Sequence, residues 1–226
     1  MMTLNHAQEW GLKIIREAQV EHVIGVDEVG LGACAGPLVV CAAVFKKGWS
    51  HPEVKDSKAY NGQDGRDKHQ KRLRALKDHI RPAILFQELE VVGHKDIDAL
   101  GLGIAVEDAM RRVALKCSHA YPDSVVAIDG DNKPYLQRAR VVVAIPKGDS
   151  LVPAISAASV IAKTTRDAMM ITLEDLYPGY GFEDHMGYWT DRHARAVEAL
   201  GVCPIHRLSY KNIQTALARR AAVVRW

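Results

Sequence analysis

Val23-Ile-Gly-Val-Asp27-Glu28-Val29, followed by Gly30-Leu31-Gly32-Ala-Cys-Ala-Gly36-Pro37, is the stretch on which the reading of the fold turns. Its β-branched, apolar run predicts a buried strand, yet two adjacent acids interrupt it. Successive side chains of a strand point to opposite faces, so at least one of these carboxylates has to lie over covered surface. There it is costly unless a cation, a hydrogen-bonding partner or a metal ion accompanies it. The glycines superficially match a dinucleotide-binding loop, but such a loop opens a helix. Here Pro37 begins a second apolar run that reaches Phe45 and ends at Lys46-Lys47. The glycines are read instead as a loop whose backbone N–H groups approach a ligand closely.

Working outward, residues 48–65 are rich in turn formers, and Arg66 to Ile80 carries Leu73, Leu76 and Ile80 on one helical face. Pro82 to Val92 reads as a third strand and Asp96 to Cys117 as a long helix. Ser124-Val-Val-Ala-Ile-Asp129 and Val141-Val-Val-Ala-Ile145 add two more strands around Gly130-Asp131-Asn132 turn chemistry. Val152 to Leu176 is helical with Pro153 in its first turn. Tyr177 to Tyr188 is a loop, and Asp191–Leu200 and Ser209–Val223 are terminal helices. Five strands interleaved with helices indicate an α/β fold, and without repeats or linkers to divide the chain it is read as one domain over residues 1–226.

The composition is that of an ordinary globular chain: 226 residues, 48% hydrophobic and 25% charged. Thirty Lys+Arg against 27 Asp+Glu leave a net charge of +3, too little to advertise a polyanion partner. The charge is unevenly spread, however. No acid follows Glu198, while Arg207, Lys211, Arg219, Arg220 and Arg225 do, which suits either a solvated helix face or one that meets phosphates. Four cysteines without C-x-x-C spacing suggest neither a zinc site nor a disulfide framework, and Cys203/His206 is not expected to bind metal. With no leader-like segment and no long apolar run, a cytoplasmic protein free of the membrane is expected.

Asp129 repeats the acidic arrangement at the carboxyl end of its strand, and Asp149 precedes a helix. Ligands of open α/β sheets gather outside the carboxyl ends of parallel strands, so Asp27 and Asp129 converge if their strands are neighbours. Oxygen ligands without His or Cys favour Mg²⁺ or Mn²⁺, ions that clamp phosphoryl oxygens in nuclease chemistry. Turn capping by Asp129, helix capping by Asp149 and a lysine partner for Glu28 remain the plainer alternatives.

These blocks resemble the type 2 ribonuclease H (ribonuclease HII) family. The resemblance rests on Val23 to Pro37, on Val126-Ala-Ile-Asp129-Gly130, and on Pro146-Lys147-Gly148-Asp149-Ser150 with Ile155 to Asp167. It extends through Tyr180 to Thr190 and Pro204 to Tyr210, covering about Val23 to Ile213. It implies a ribonuclease H-like fold, a mixed five-stranded sheet flanked by helices with a helical C-terminal part from about residue 177, and an endonuclease that cuts the RNA strand of RNA–DNA hybrids, or 5′ of a ribonucleotide embedded in duplex DNA. Asp27, Glu28, Asp129 and Asp149 would be its catalytic carboxylates and ligands for Mg²⁺ or Mn²⁺. Gly30, Leu31, Gly32, Lys58, Ser150, Lys163, Tyr188 and Arg207 would contact substrate. The chain departs from the family at Leu31, where arginine is usual, and at Ala59 and Met186, where lysine is usual. No sliding-clamp peptide is visible at the C-terminus, and a monomer is expected. A fold that binds hybrids without turnover is the alternative, though four acids clustered against phosphate do not help a mere binder.

Overall fold

The computed structural model describes residues 4–52, 54, 65–131, 134, 136 and 139–223. Lys58, Ala59 and Arg225 lie outside them. Helix α1 (His6–Glu17) opens the chain, followed by β1 (His22–Val29) and β2 (Leu38–Lys46). Then come α2 (Gly65–Ala75), β3 (Phe86–Val92), α3 (His94–Leu100), α4 (Leu102–Ala120), β4 (Ser124–Asp129) and β5 (Val141–Ile145). A 24-residue helix, α5 (Pro153–Leu176), precedes α6 (Phe182–His185), α7 (Asp191–Leu200) and α8 (Lys211–Val223).

The sheet order is β3-β2-β1-β4-β5. β1 pairs antiparallel with β2 and parallel with β4, and β4 is parallel to β5, so the sheet is mixed as the sequence led us to expect. Strand alternation divides the core in two. Val23, Val39, Cys41, Val125, Ala127 and Val143 face one side with α5, while Ile24, Val26, Val40, Val126 and Ile128 face the other with α4. A third cluster, around Phe182, Met186, Val197 and Ile205, joins the C-terminal helices to α5. Among the described residues, no helix is long and apolar enough to cross a membrane.

Three local expectations need correction, and one helix had no expectation at all. The third strand begins at Phe86, because Arg81–Ala83 forms a 3-10 turn with Pro82, which has no N–H to give to a ladder. The long helix of residues 96–117 is two helices, broken at Gly101, whose φ of 82° leaves the helical region. The loop of residues 177–188 contains the short α6. Helix α1 was not anticipated, although Asn5 and Gln8 form a reciprocal capping box at its start. It packs on β5 and anchors there through Gln8 Nε2, which donates to the Pro146 carbonyl over 2.9 Å.

Candidate active site

The parallel pairing of β1 with β4 sets Val26 beside Ile128, so Asp27 and Asp129 leave the sheet side by side at its carboxyl edge. Both belong to the α5 face by alternation. Asp149 comes up from the 3-10 turn Gly148–Ser150 that leads into α5, and its N–H donates to Asp129 Oδ1 over 3.3 Å. One carboxylate oxygen from each of Asp27, Asp129 and Asp149 lies within 4.8 Å of the others. Asp27 and Asp149 are buried and Asp129 is half-buried.

Such crowding opposes ionisation. Burial first, then the charges of Glu28 and Asp129, hold the Asp27 carboxyl well above the usual carboxylate range, against the Ser159 hydroxyl and the Glu28 N–H. That N–H donates to Asp27 Oδ1 at 2.8 Å. Glu28 itself is half-buried and, by strand alternation, starts from the opposite face; it acts on Asp27 through its charge and is not one of the three converging carboxylates. A divalent cation would reverse this cost, and an all-oxygen set without imidazole or thiol suits a hard ion. The donor set therefore fits a divalent metal, which Asp27, Asp129 and Asp149 would hold. Ser159, a residue of α5 that no local sequence signal singles out, steadies Asp27.

Next to the acids, the Gly30–Gly36 loop is held from beneath by two fully buried arginines. Arg207 donates from Nη1 to the carbonyls of Gly30 (2.7 Å) and Leu31 (3.2 Å), and from Nε to that of Gly36 (3.0 Å). Arg166 donates to Pro37 O (2.7 Å), Ala35 O (3.2 Å) and Met186 O (2.8 Å). With its carbonyls drawn down, the loop is pinned in place. Tyr188 closes over it, bridging Ala33 through the backbone, and its ring sits 5.7 Å from the Arg166 guanidinium. Tyr188 is 36% exposed and Leu31 37%, so both face solvent beside the acids' end of β1.

Two expected substrate contacts are relocated. Arg207 is placed beneath the loop, its guanidinium buried, with Nε and Nη1 given to carbonyls and Nη1 also to the Tyr210 hydroxyl at 2.8 Å. Lys163 is bound to the buried Asp167 at 2.5 Å, and Asp167 also pairs with Arg72 at 2.8 Å. Its charge is thus committed inside the protein. Ser150 is exposed beside Asp149 and donates to the Lys147 carbonyl. Met186 is buried in the third core cluster, so in this chain that position supplies packing where a lysine would have supplied charge. The loop arginine Arg166 had no role assigned from sequence. A charge pattern cannot separate a buried arginine from a surface one, and only its place opposite a glycine loop would have hinted at it.

Comparison with known proteins fits this geometry. A family model described as ribonuclease HII matches residues 24–213. The ribonuclease HII of Halorhodospira halophila is 40% identical over 86% of this chain and 94% of its own. In fold, the chain is similar to the ribonuclease H2 of Pyrococcus horikoshii, with a TM-score of 0.67 and 24% identity over 88% of this chain and 98% of that one. It is also similar to Bst-RNase HIII solved in complex with Mn²⁺, with a TM-score of 0.64 and 20% identity over 92% of this chain and 73% of that one. The chain belongs to the ribonuclease HII family and is a ribonuclease H, an endonuclease that hydrolyses phosphodiester bonds.

Proposed function

We propose that the chain cuts the RNA strand of RNA–DNA hybrids and duplex DNA 5′ of an embedded ribonucleotide, with Asp27, Glu28, Asp129 and Asp149 as the acids that bind Mg²⁺ or Mn²⁺. The observation that carries this reading is the convergence of three carboxylates, two of them buried, at the carboxyl ends of neighbouring parallel strands. Glu28 joins them on the family resemblance and on its electrostatic reach to Asp27. When bound, divalent ions supply charge neutralisation for the attacking and leaving oxygens. The protein's own part is to hold the acids. Asp129 takes the N–H of Asp149, Ser159 and the Glu28 N–H support Asp27, and the pinned loop sets the nucleic acid against them.

Ribose selection is assigned to Gly30, Leu31, Gly32 and Tyr188. The 2′-OH distinguishes RNA from DNA, and a backbone amide reaches it where no bulky side chain intervenes. Leu31 retains its N–H for this purpose, and Tyr188 offers a ring for the neighbouring sugar and a hydroxyl to donate. Exposed Lys211, Arg219 and Arg220 on α8 are left to hold duplex phosphates. A cytoplasmic setting accords with four buried, unbridged cysteines.

The test is cleavage of a labelled duplex carrying one ribonucleotide, with Mg²⁺, Mn²⁺ or chelator, by the native chain and by Asp27→Asn. The native chain should cut only with metal, and the variant should not cut at all. Asp27→Asn should nevertheless melt higher than the native chain in chelator, since a neutral amide escapes the repulsion, and should lose the extra stability that metal confers. Full activity of the variant at saturating Mg²⁺ would reduce these acids to turn and cap residues.

A further inference from the structure

Two imidazoles occupy the C-terminal part, outside the acidic site. His193, on α7, and His206 are buried, with their Nε2 atoms 3.1 Å apart. At the outer ends of the pair, His193 Nδ1 lies 3.0 Å from the Tyr188 carbonyl oxygen, and His206 Nδ1 faces Cys203, 2.9 Å from its backbone nitrogen, 3.1 Å from its carbonyl oxygen and 3.2 Å from its Sγ.

These contacts determine where the protons are. A carbonyl only accepts, so His193 carries its proton on Nδ1 and presents a lone pair at Nε2. His206 must therefore donate from Nε2, and as a neutral ring it has only a lone pair at Nδ1, which accepts the nearer Cys203 N–H and gives nothing to the Cys203 carbonyl. The result is a one-way chain, Cys203 N–H to His206 to His193 to the Tyr188 carbonyl, in which both rings are neutral. An extra proton on His193 would set two N–H groups head to head across 3.1 Å. The surroundings agree with neutrality. Burial pushes His193 down to about 4 and also lowers His206, while Phe182 and the stacked His185 ring enclose His193.

The chain also joins two strips of backbone that matter. Tyr188 forms an antiparallel bridge with Ala33, and His206 forms one with Ala35. The Gly187 carbonyl accepts the Cys34 N–H at 2.8 Å, and the Ile205 carbonyl accepts the Gly36 N–H at 3.0 Å. The glycine loop is thus stapled on one side by the Tyr188 segment and on the other by the His206 segment, and the two histidines span the gap between the staples.

We propose that His193 and His206 are positioning residues for sugar recognition, a two-imidazole relay that fixes Tyr188 and the glycine loop at a set spacing. This rests on the assignment of Tyr188 to the sugar, and the relay itself can be examined without that assignment. In ¹⁵N-histidine NMR spectra of the native protein at pH 7, His193 should be the neutral Nδ1–H tautomer and His206 the neutral Nε2–H tautomer. The opposite tautomers, or an imidazolium at either position, would overturn the relay whatever Tyr188 touches.

Function is tested by a mutant cycle on the single-ribonucleotide duplex. His193→Leu should lower kcat/KM roughly five- to tenfold, the worth of one hydrogen bond. His193→Asn, whose amide can still donate to the Tyr188 carbonyl, should recover to within about twofold. In a Tyr188→Ala background the His193→Leu change should cost nothing further. Equal losses with and without Tyr188, or no recovery by asparagine in a protein that melts normally, would show a purely structural role and overturn the proposal. If Tyr188→Ala alone leaves kcat/KM unchanged, the sugar assignment fails, and the tautomer spectra report separately on the relay.

Discussion

Gly25 lies in the middle of β1, two residues before Asp27, where α5 crosses the sheet. A Cβ at this position would stand 2.1 Å from both the carbonyl carbon and oxygen of Ala154 and 2.4 Å from the Ile155 nitrogen. Carbon needs roughly 3.5 Å from such neighbours, so in Gly25→Ala the start of α5 must retreat by roughly 1.4 Å. Backbone in a regular helix cannot step aside as a side chain would. The cost therefore falls at the upper end of overpacking, about 3 kcal/mol. For a chain of this size that lowers Tm by about 6–12 °C. The same helix carries Ser159, which supports Asp27, and Arg166, which holds the loop. A shift on the order of 1 Å at reacting groups costs about 100-fold in rate, so kcat should fall by about that factor. Thermal unfolding followed by circular dichroism, with steady-state cleavage of a hybrid, measures both. Gly103→Ala is the control, since nothing lies within 4 Å of the place its new methyl group would take, and Tm should hold or rise slightly. A Gly25→Ala protein that melts within about 2 °C of the native one and turns over at full rate would refute the close-packing argument.

Two further outcomes follow from the buried cations and imidazoles. Arg207→Lys should raise KM for hybrid roughly tenfold with little change in kcat, because one ammonium cannot serve the carbonyls of Gly30, Leu31 and Gly36 together; an unchanged KM would show that the loop holds its shape unaided. Stability should fall on acidification. The unfolded imidazole of His193 takes up a proton near pH 6.5, but the folded one only near 4, so its contribution of about 3 kcal/mol is complete above pH 6.5 and is lost as pH drops towards 4. His206 and His185 are lowered in the same sense, with Cys203 beside His206 and with Glu174, Asp184 and Arg192 around His185. Urea midpoints at pH 7.5 and 4.5 should differ less in His193→Asn than in the native protein, and an equal difference would remove His193 from the account.

The acids were legible because their cost was legible: Asp27 in an apolar strand demands compensation, and that demand points to Asp129 and Asp149 once two strands are placed side by side. The sheet was readable for a similar reason, since β-branched runs have few alternatives. What could not be read were the partners of long cationic side chains. Arg207 and Lys163 look like surface charge in any local window, and only the folded chain puts carbonyls around the first and Asp167 beside the second. Gly101 marked a weak place in a helical pattern, but the pattern on both sides stayed helical, so the break and its sharp turn emerged only with the backbone. Helix α1 had its capping residues in plain sight, with a mostly polar segment behind them that carried little periodic signal.

The bonds beneath the glycine loop connect residues very far apart in the chain: 129 positions from Pro37 to Arg166, 171 from Gly36 to Arg207 and 177 from Gly30 to Arg207. Synthesis runs from the N-terminus, so Arg207 emerges well after Asp149. A nascent chain that has emerged through β5 and α5 already owns Asp27, Asp129 and Asp149, while the carbonyls of Gly30, Leu31 and Gly36 still wait for Arg207. All three acids of the cluster therefore leave the ribosome before the second arginine of the loop does. A polypeptide cut short ahead of residue 207 would keep its acids and the Arg166 contacts to Pro37 and Ala35, yet lack the second arginine of the brace, the one that serves Gly30, Leu31 and Gly36.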